Sequence, residues 1–376
     1  GAWRAASGPR PLGGSLAAAF GRIYIQDRSS MLPALALAPA EGARVLDMCA
    51  SPGSKTGLLS HQVGRGGLVL AVEPSPARLG TLRANLARTC RHNAVSLGLP
   101  GQDLPEALTF PYILLDPPCS GWGTEERNPG VRERWSGRRV EPMLELQRAL
   151  LARAARLLAP GGRLVYSTCT TNVDENEAQA AWAAKELGLV PEALAPFPGF
   201  DFDAPEMGLS GVLRVADGSD GQGFFLAAFT KPGEPMPDEP AASTGVDAGG
   251  LDAPPAWDWA ALPPGSVQDY KGRAVFAPAA AHALDHAAGG CLRWRGCALG
   301  RLARGRLAPH AHAWACVDAD AQGVAEAEAD DLRGLLEGRA LPCSEQGPAD
   351  VGLAWRGLPL GWARRKGRRL LLPAGR

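Results

Sequence analysis

The stretch VLDMCASPGSKT (residues 45–56) decides the fold of this chain. Apolar residues lead to Asp47, a Ser-Pro-Gly turn follows, and Lys55 and Thr56 open a helical pattern. A loop between the end of a strand and the start of a helix leaves backbone N–H groups unpaired, and doubly wound folds bind nucleotide-like ligands there. Its spacing fits neither G-x-x-x-x-G-K-[ST] nor G-x-G-x-x-G. The stretch therefore predicts a ligand-binding loop of another kind.

Apolar runs of strand length follow this loop and alternate with helical patterns. Leucines three and four residues apart, Pro142 in a first turn and acids at the start of 174–187 indicate the helices. Continuous apolar strands separated by helices are typical of a buried parallel sheet, so we expect an α/β, Rossmann-like fold. The predicted strands are 43–50, 67–74, 93–99, 112–118, 163–169 and 223–230, and the predicted helices are 54–63, 76–89, 141–162 and 174–187.

Composition divides the chain into parts. In the N-terminal segment 1–40, the stretch GRIYIQDRSSMLPALAL (21–37) predicts a short strand and then a helix capped by Ser29 or Ser30. Residues 232–256 are rich in Pro, Gly, Ala and acids without periodicity, which predicts a linker. We expect an α/β domain over 41–231 and a smaller C-terminal region of short strands and turns over 257–376.

Composition also limits the partners. The 376 residues carry 39 basic and 39 acidic side chains, so any attraction to nucleic acid must come from local patches. Eight cysteines without a C-x-x-C pair indicate reduced thiols and a cytoplasmic protein. Cys291 and Cys297 lack His or Cys partners at metal spacing, so we expect no metal. No apolar stretch approaches the ~20 residues of a membrane span, so we expect no membrane partner.

Chemically useful residues follow several predicted strands. Glu73 ends the second strand, Asp116 and Cys119 follow the fourth, and Cys169 ends the fifth. Because the carboxyl ends of parallel strands meet at one edge, we expect these side chains to converge near loop 45–56. An acid such as Glu73 can accept hydrogen bonds from both ribose hydroxyls, which suits S-adenosylmethionine or a dinucleotide. An ordinary turn and two small buried cysteines remain the alternative.

A thiolate beside a methyl donor suits one reaction. Carbon 5 of a pyrimidine is a poor nucleophile until a thiolate adds to carbon 6 and makes it enamine-like. Asp116 is placed to stabilise charge at the edge of the base, and Lys55 to favour a thiolate. The pattern of strands does not decide whether Cys119 or Cys169 attacks.

These residues carry a resemblance to the RNA cytosine-5 methyltransferases of the Nop/Sun type. The end of the chain, GLPLGWARRKGRRL, resembles the bacterial RsmF-type enzymes, which act on small-subunit (16S) ribosomal RNA and carry a PUA-like β-barrel that binds RNA. The matching stretches between residues 23 and 230 are IQDRSSMLP, LDMCASPGSKT, VEPSPAR, LLDPPCSGWGT, RWS, LQRALL, PGGRLVYSTCTTNVDENEA and GQGFFLAAF.

The resemblance assigns roles to individual residues. It implies that Cys169 of the T-C motif is the nucleophile and that Cys119 of the P-C motif helps release the product. Asp116 acts at the edge of the base, with Lys55 beside it. Asp103 is the nearest acid to the position where the family has a carboxylate against the adenine. The implied S-adenosylmethionine contacts are Cys49, Ala50, Ser51, Pro52, Gly53, Ser54, Lys55, Glu73, Arg78 and Asp116.

The basic end of the chain predicts an RNA contact. Residues 355–376 carry basic side chains and no acid, and Trp355 and Trp362 lie among them, either to stack on bases or to pack. With the resemblance, this implies ribosomal RNA or the small subunit as partner, and we expect a monomer. The predicted RNA-binding residues are Arg364, Arg365, Lys366, Arg368 and Arg369.

Several other functions are compatible with parts of this pattern. Amino-group methyltransferases use Asp/Asn-Pro-Pro followed by an aromatic residue, whereas Cys119 stands there in this chain. A DNA cytosine methyltransferase would use Cys119 as nucleophile and leave Cys169 without a role. A tRNA cytosine-5 methyltransferase and a non-catalytic ribosome-assembly factor remain as alternatives, although an intact set of acids and thiols argues against the latter.

Overall fold

The computed structural model describes residues 11–216, 221–235 and 245–373. The helices are α1 Leu16–Ala19, α2 Leu32–Leu37, α3 Ser54–Gln62, α4 Pro76–Arg88, α5 Val131–Arg134, α6 Glu141–Leu157, α7 Glu177–Leu187, α8 Ala279–Ala287 and α9 Ala329–Leu336. The strands up to residue 230 are β1 Arg44–Asp47, β2 Leu68–Val72, β3 Ala94–Leu97, β4 Phe110–Leu115, β5 Leu158–Thr168, β6 Val190–Glu192, β7 Phe202–Asp203, β8 Leu213–Val215 and β9 Phe224–Thr230. The later strands are β10 Val246–Asp247, β11 Gly265–Asp269, β12 Arg273–Pro278, β13 Cys297–Ala303, β14 Arg306–Pro309, β15 Val324–Glu326, β16 Leu341–Pro342, β17 Asp350–Trp355, β18 Leu358–Lys366 and β19 Arg369–Leu371.

One mostly parallel sheet forms the first part of the molecule. Its strand order is β3-β2-β1-β4-β5-β9-β8-β7, and β6 also pairs with β9. Strands β3, β2, β1, β4 and β5 are parallel, whereas β9 runs antiparallel to β5. The chain leaves β1 toward β2 on one side and returns to β4 on the other, so a crevice opens at the carboxyl ends of β1 and β4. The predicted α/β fold is confirmed.

The apolar runs become strands because the sheet is covered on both faces. Every residue of β2 and β3 is buried, and the sheet separates two clusters of buried side chains. The predicted helix 141–162 ends earlier, at Leu157, because Leu158 already pairs in β5. The short strands β6, β7 and β8 were not predicted, because two or three residues carry no recognisable alternation.

The N-terminal segment differs from its prediction. Residues 23–27 are extended without pairing into a strand, and residues 1–10 lie outside the described part. Neither serine caps the following helix with its hydroxyl. Asp27 Oδ1 accepts a hydrogen bond from the Ser29 N–H at 2.9 Å, while the Ser29 hydroxyl donates to the carbonyl of Gln222 at 2.8 Å. The hydroxyl therefore attaches the segment to the sheet instead of capping.

The C-terminal region contains two five-stranded sheets, with orders β10-β11-β12-β13-β14 and β15-β17-β18-β19-β16. With helices α8 and α9 it is α+β, and its PUA-like character stays a prediction. Residues 236–244 of the predicted linker lie outside the described part, but Val246 and Asp247 already pair with β11, and Ala256 is buried. The sequence therefore places the end of the linker too late, while the division into domains stays a prediction.

Trp362 is a core residue of this region. Its side chain is fully buried, its ring centroid lies 5.6 Å from that of Trp257, and its Nε1 donates to the carbonyl of Ala313 at 3.0 Å. Packing, not stacking on bases, is therefore its role.

The two parts of the molecule pack directly against each other. Ser96 of β3 and Arg295 exchange two backbone hydrogen bonds of 2.8 Å. Ala281 and Leu284 of α8 belong to the same buried cluster as Leu68 of β2. Phe20, from the N-terminal segment, is buried among residues of the C-terminal region. The N-terminal segment thus joins the mostly parallel sheet to the C-terminal region.

Replacing Phe20 with alanine tests this role. The ring is 1% exposed, so the Phe20→Ala variant should lose about 3 kcal/mol of unfolding free energy. Urea titration followed by circular dichroism measures the change. Leu12→Ala, at a side chain that is 43% exposed, should stay within about 0.5 kcal/mol of the parent. Equal stabilities of the two variants would contradict the joining role.

Candidate active site

A cavity of about 350 Å³ opens at the carboxyl ends of β1, β4 and β5. One wall is the extended N-terminal segment, residues 24–27 and 30, and the opposite wall is the loop after β1, residues 49–52, 54 and 55. The floor and rim contain Asp116, Arg127, Cys169, Gln222 and Phe224. The cavity therefore lies where the switch in strand order predicts a ligand.

The loop after β1 is shaped by helix α4. Gly53 has φ 104°, and a Cβ on it would approach Leu82 Cδ1 to 3.0 Å, so glycine suits this position. Asn85 Nδ2 donates to the carbonyl of Pro52 at 2.9 Å, and the Ser51 hydroxyl donates to the carbonyl of Arg78 at 3.0 Å. These contacts aim the open N-terminus of α3 at the cavity, where it can bind a carboxylate or another anion.

Two buried carboxylates flank the loop. Glu73 accepts from the Ser75 N–H at 2.9 Å and pairs with Arg78 at 3.3 Å. Asp47 accepts from the Thr56 hydroxyl at 2.7 Å through Oδ2, but its buried Oδ1 has no partner. Burial raises the pKa of Asp47 to about 6. Buried acceptors beside a glycine-shaped loop fit a polar, nucleoside-bearing cofactor.

The predicted adenine contact is not brought to the cavity. Asp103 is exposed at the end of the turn Gly101–Asp103, and it does not line the cavity. Its role stays a prediction.

Lys55 and Asp116 form an ion pair on the cavity floor. Lys55 Nζ lies 2.7 Å from Asp116 Oδ2, and the Ser167 hydroxyl donates to Asp116 Oδ1 at 2.8 Å. Burial lowers the pKa of Lys55, but the charge and hydrogen bond of Asp116 outweigh it and hold the pKa above its ordinary value. Lys55 is therefore a permanent cation, and both oxygens of Asp116 are held in place.

The two cysteines of the sequence prediction touch. Cys119 Sγ and Cys169 Sγ are 3.3 Å apart. The hydrogen bond from Cys119 lowers the pKa of Cys169 below its ordinary value against the effects of burial and Asp116, and Lys55 lowers it further. The same bond, with burial, raises the pKa of Cys119 well above its ordinary value. The contact therefore makes Cys169 the more acidic of the two thiols and favours Cys119 as the donor.

Glu175 holds the two thiol-bearing loops together, and the sequence prediction missed it. Its buried carboxylate accepts from the Ser120 N–H at 2.9 Å, from the Ser120 hydroxyl, from Gln147 Nε2 at 3.0 Å and from Asn172 Nδ2 at 3.2 Å. Ser120 follows Cys119 in the chain, and its hydroxyl lies 2.7 Å from that of Thr170, which follows Cys169. Three of the four polar residues DENE (174–177) are buried, and nothing in the sequence marks the second as the one that contacts both loops.

An ion pair near the cavity mouth was not predicted, although Arg127 belongs to the basic residues after CSGWGT that the sequence indicates as a possible lining of the RNA path. Arg127 pairs with Asp27 at 2.7 Å, and the arginine is 64% exposed. The pair connects the loop after β4 with the N-terminal wall. The stretch IQDRSSMLP carried the family resemblance, but it did not indicate the ion pair between Asp27 and Arg127.

Comparisons with known proteins agree with this geometry. The fold and the loop define a Rossmann-like methyltransferase, the class whose cofactor is S-adenosylmethionine. Residues 34–230 match the family described as 16S rRNA methyltransferase RsmB/F. The chain belongs to this family, which confirms the resemblance.

Individual relatives show the extent of the match. The chain is 39% identical over 237 residues to ribosomal RNA small subunit methyltransferase F of Cronobacter sakazakii, covering 60% of this chain and 49% of that protein. It is 40% identical over 233 residues to the protein of the same name from Citrobacter koseri, covering 59% and 47%. The chain thus spans about half the length of these relatives. The structure of NSun6 from Pyrococcus horikoshii with SFG aligns at a TM-score of 0.54 and 30% identity, over 60% of this chain and 57% of that one.

Two absences hold for the described part of the chain. No group of His, Cys, Asp or Glu there could hold a metal ion. No helix there is long and apolar enough to cross a membrane.

Alkylation by iodoacetamide tests the state of the two thiols. The thiolate is the reacting form, so the rate rises with pH through the pKa of each cysteine. The midpoint for Cys169 should lie below the ordinary thiol value of about 8.5, and the midpoint for Cys119 above it. Mass spectrometry of peptides separates the two rates. Cys119→Ala should raise the midpoint of Cys169, whereas Cys49→Ala, elsewhere in the cavity, should not.

Glu175→Gln tests the clamp between the loops. Glutamine keeps the size but turns one acceptor into an N–H donor that faces other donors, which should cost about 1–3 kcal/mol of unfolding free energy. The alkylation midpoint of Cys169 should rise as its contact with Cys119 loosens. Asp174→Asn changes the neighbouring exposed acid in the same way and serves as control. An unchanged midpoint in Glu175→Gln would refute the clamp.

Proposed function

We propose that this protein transfers a methyl group from S-adenosylmethionine to carbon 5 of a cytosine in small-subunit (16S) ribosomal RNA. The observation that carries the proposal is the contact of Cys119 with Cys169, which itself lines the cavity together with the Lys55–Asp116 pair. The relatives named ribosomal RNA small subunit methyltransferase F support the substrate. The free thiols support a cytoplasmic location, and we take the protein to act as a monomer.

The bound cofactor would supply an electrophilic methyl group, and this chain has residues to hold it. The N-terminus of α3 and residues 49–55 would receive its polar end, and Glu73 would accept from the ribose hydroxyls. Arg78 would hold the Glu73 carboxylate in place through their ion pair. Asp116 and Lys55 lie between this loop and Cys169 on the cavity lining, so the methyl group and the base would meet there.

Cys169 begins the reaction as the nucleophile. Its sulfur lone pair forms a bond to carbon 6 of the cytosine, and electron density moves toward the ring nitrogen and carbon 5. Asp116, fixed by Ser167 and Lys55, faces the edge of the base, where it accepts a hydrogen bond from the amino group while Lys55 offsets the negative charge that develops on the ring. Carbon 5 then takes the methyl group. The base must leave its stack for carbon 6 to reach the sulfur.

Cys119 completes the cycle. While Cys169 is a thiolate, the pKa of Cys119 is high because its proton is shared with that sulfur. Bond formation at Cys169 removes the negative charge, so Cys119 then loses its proton to solvent more easily. As a thiolate it takes the proton from carbon 5, the ring double bond reforms, and Cys169 leaves carbon 6. The methylated base is released.

The basic end of the chain supplies part of the RNA contact. Lys366, Arg368 and Arg369 are exposed at the hairpin between β18 and β19. Arg364 donates to Asp350 at 2.8 and 3.1 Å, and Arg365 donates to the backbone carbonyls of Pro348 and Ser344. We therefore assign phosphate contacts to the three exposed residues first, and a structural role to the other two.

The alternatives explain fewer contacts. Amino-group methylation needs no thiol, and a DNA-type mechanism would make Cys119 the attacking group, although its pKa is raised. A non-catalytic factor would have no use for a thiolate beside Lys55. A tRNA cytosine remains the second candidate substrate, because the thiol chemistry would be identical.

Two alanine variants test the roles of the cysteines. With small-subunit RNA or subunits and S-adenosylmethionine, Cys169→Ala should form neither covalent adduct nor product, a loss of at least ~10³-fold. Cys119→Ala should accumulate a protein–RNA adduct on a denaturing gel. Bisulfite mapping of the RNA locates the product, and tRNA serves as the competing substrate. Methylation by Cys169→Ala would disprove the mechanism.

A further inference from the structure

Three β-hairpins of the C-terminal region carry basic residues at their tips. The hairpins β11–β12 and β13–β14 close through Lys271-Gly272 and Arg304-Gly305, and β18–β19 closes through Gly367-Arg368. The side chains of Lys271, Arg304 and Arg368 are all exposed.

The first two tips lie side by side. Strands β12 and β13 are antiparallel neighbours, and Arg273 pairs directly with Arg301. Leu302 N donates to the carbonyl of Gly272 at 2.9 Å, so the end of one hairpin touches the other. Two exposed arginines in register repel each other unless an anion lies between them.

The third hairpin reaches the same face through Asp350. This carboxylate is 5% exposed and lies between two arginines, 2.8 Å from Arg364 of β18 and 3.8 Å from Arg306 of β14. Arg306 directly follows the Arg304-Gly305 tip, and Arg364 lies two residues before the end of β18. The β18–β19 tip therefore joins the other two in one basic surface.

The charge of this surface is not neutralised within the protein. Across the residues that the structure describes, no carboxylate forms an ion pair with Lys271, Arg273, Arg301 or Arg304. The acids of this face are already used: Asp269 accepts from the Gly272 N–H at 2.7 Å, and Asp350 is shared by Arg306 and Arg364. Asp252 is another exposed acid near this surface, and its backbone forms an isolated β-bridge with that of Arg306.

An aromatic ring borders the basic surface. Tyr270 precedes Lys271, is 41% exposed, and has the Arg295 guanidinium 4.0 Å from its ring centroid. Arg295 is also the residue that bridges to β3 of the methyltransferase sheet. An exposed tyrosine with arginine beside it can stack on an unpaired base.

We propose that the tips at Lys271, Arg304 and Arg368, with Arg273 and Arg301 between them, form one surface that binds the phosphate backbone of the RNA substrate, with Tyr270 contacting an unpaired base at its border. This assignment rests on the proposed function for the identity of the RNA. It extends the predicted contact at 366–369 to two hairpins that lie earlier in the chain, with tips at Lys271 and Arg304. A linear polyanion suits three tips in a row better than a compact anion, because each tip can hold a separate phosphate.

The chain provides a matched control. Arg356-Gly357 forms the same kind of turn between β17 and β18, with φ 51° and 74°, against 52° and 74° at Lys271-Gly272 and 52° and 76° at Arg304-Gly305. It lies at the opposite end of β18, nine residues and roughly 27 Å away from the third tip. Asparagine before glycine is the preferred sequence for such turns, so Asn variants keep the hairpins.

Binding of a labelled small-subunit RNA transcript tests the proposal. The double variant Lys271→Asn/Arg304→Asn should bind about tenfold more weakly at about 0.1 M salt, and the slope of log affinity against log salt should fall by about 1.5. Arg356→Asn should leave both values unchanged. Methyl transfer at saturating RNA should be retained in both variants, because no substituted residue lies at the cavity.

The outcomes separate the two proposals. Unchanged affinity and slope in the double variant, with an active parent enzyme, would overturn the surface alone. Weaker binding by the double variant, with no methyl transfer by the parent, would overturn the proposed function and leave the surface standing. An equal loss of RNA affinity in Arg356→Asn would show that any removed positive charge weakens binding, and it would overturn the proposed surface. Tighter binding of the parent to phosphatidylserine vesicles than to RNA, lost in the double variant, would assign the surface to a membrane instead.

Discussion

The ion pair between Lys55 and Asp116 joins the two loops on which the cavity depends. Lys55 comes from the first turn of α3, and Asp116 directly follows β4, so the 2.7 Å contact closes the crevice between the neighbouring strands β1 and β4. A buried pair of this kind contributes little net stability, because desolvation offsets most of the attraction. Losing one member would be costly, since the other charge would stay buried alone. The pair is therefore better understood as a device that fixes geometry, in which Lys55 partly offsets the raising effect of Asp116 on the pKa of Cys169.

A second buried group fixes the rest of the site without a counter-charge. Glu175 satisfies its oxygens with hydrogen bonds from a backbone amide, a hydroxyl and two side-chain amides. Hydrogen bonds to a charged group are worth about 1.5–3 kcal/mol each, so Glu175 reinforces the direct contacts between the two loops at Cys119–Cys169 and Ser120–Thr170. The hydrogen bond from Cys119 and, to a smaller extent, Lys55 lower the pKa of Cys169, while Glu175 holds the loops that set the distance between the two thiols. The two sets of contacts meet only at the thiols.

Much of the fold and the centre of the site could be predicted from the sequence. Buried parallel strands have apolar side chains on both faces, so 67–74 and 112–118 were recognisable without any partner. The carboxyl-edge rule then placed Asp116 and both thiols together. The contacts that could not be predicted involve partners that lie far away in the chain, or a side chain for which two partners compete. The RNA contact of Arg364 stays a prediction, but the sequence does not show that Asp350 on the neighbouring strand pairs with it. Ser29 was predicted to cap a helix, but its hydroxyl bonds to Gln222, 193 residues later.

The bridge between Ser96 and Arg295 has a consequence for how this protein behaves in a crowded cell. Strand β3 is the edge of the parallel sheet, and an open edge is a template for pairing with another chain. The C-terminal region covers it with its own backbone hydrogen bonds and with helix α8. The opposite edge ends in β7, a strand of only two residues, which is too short to recruit a partner. Both edges of the sheet are thereby protected against aggregation.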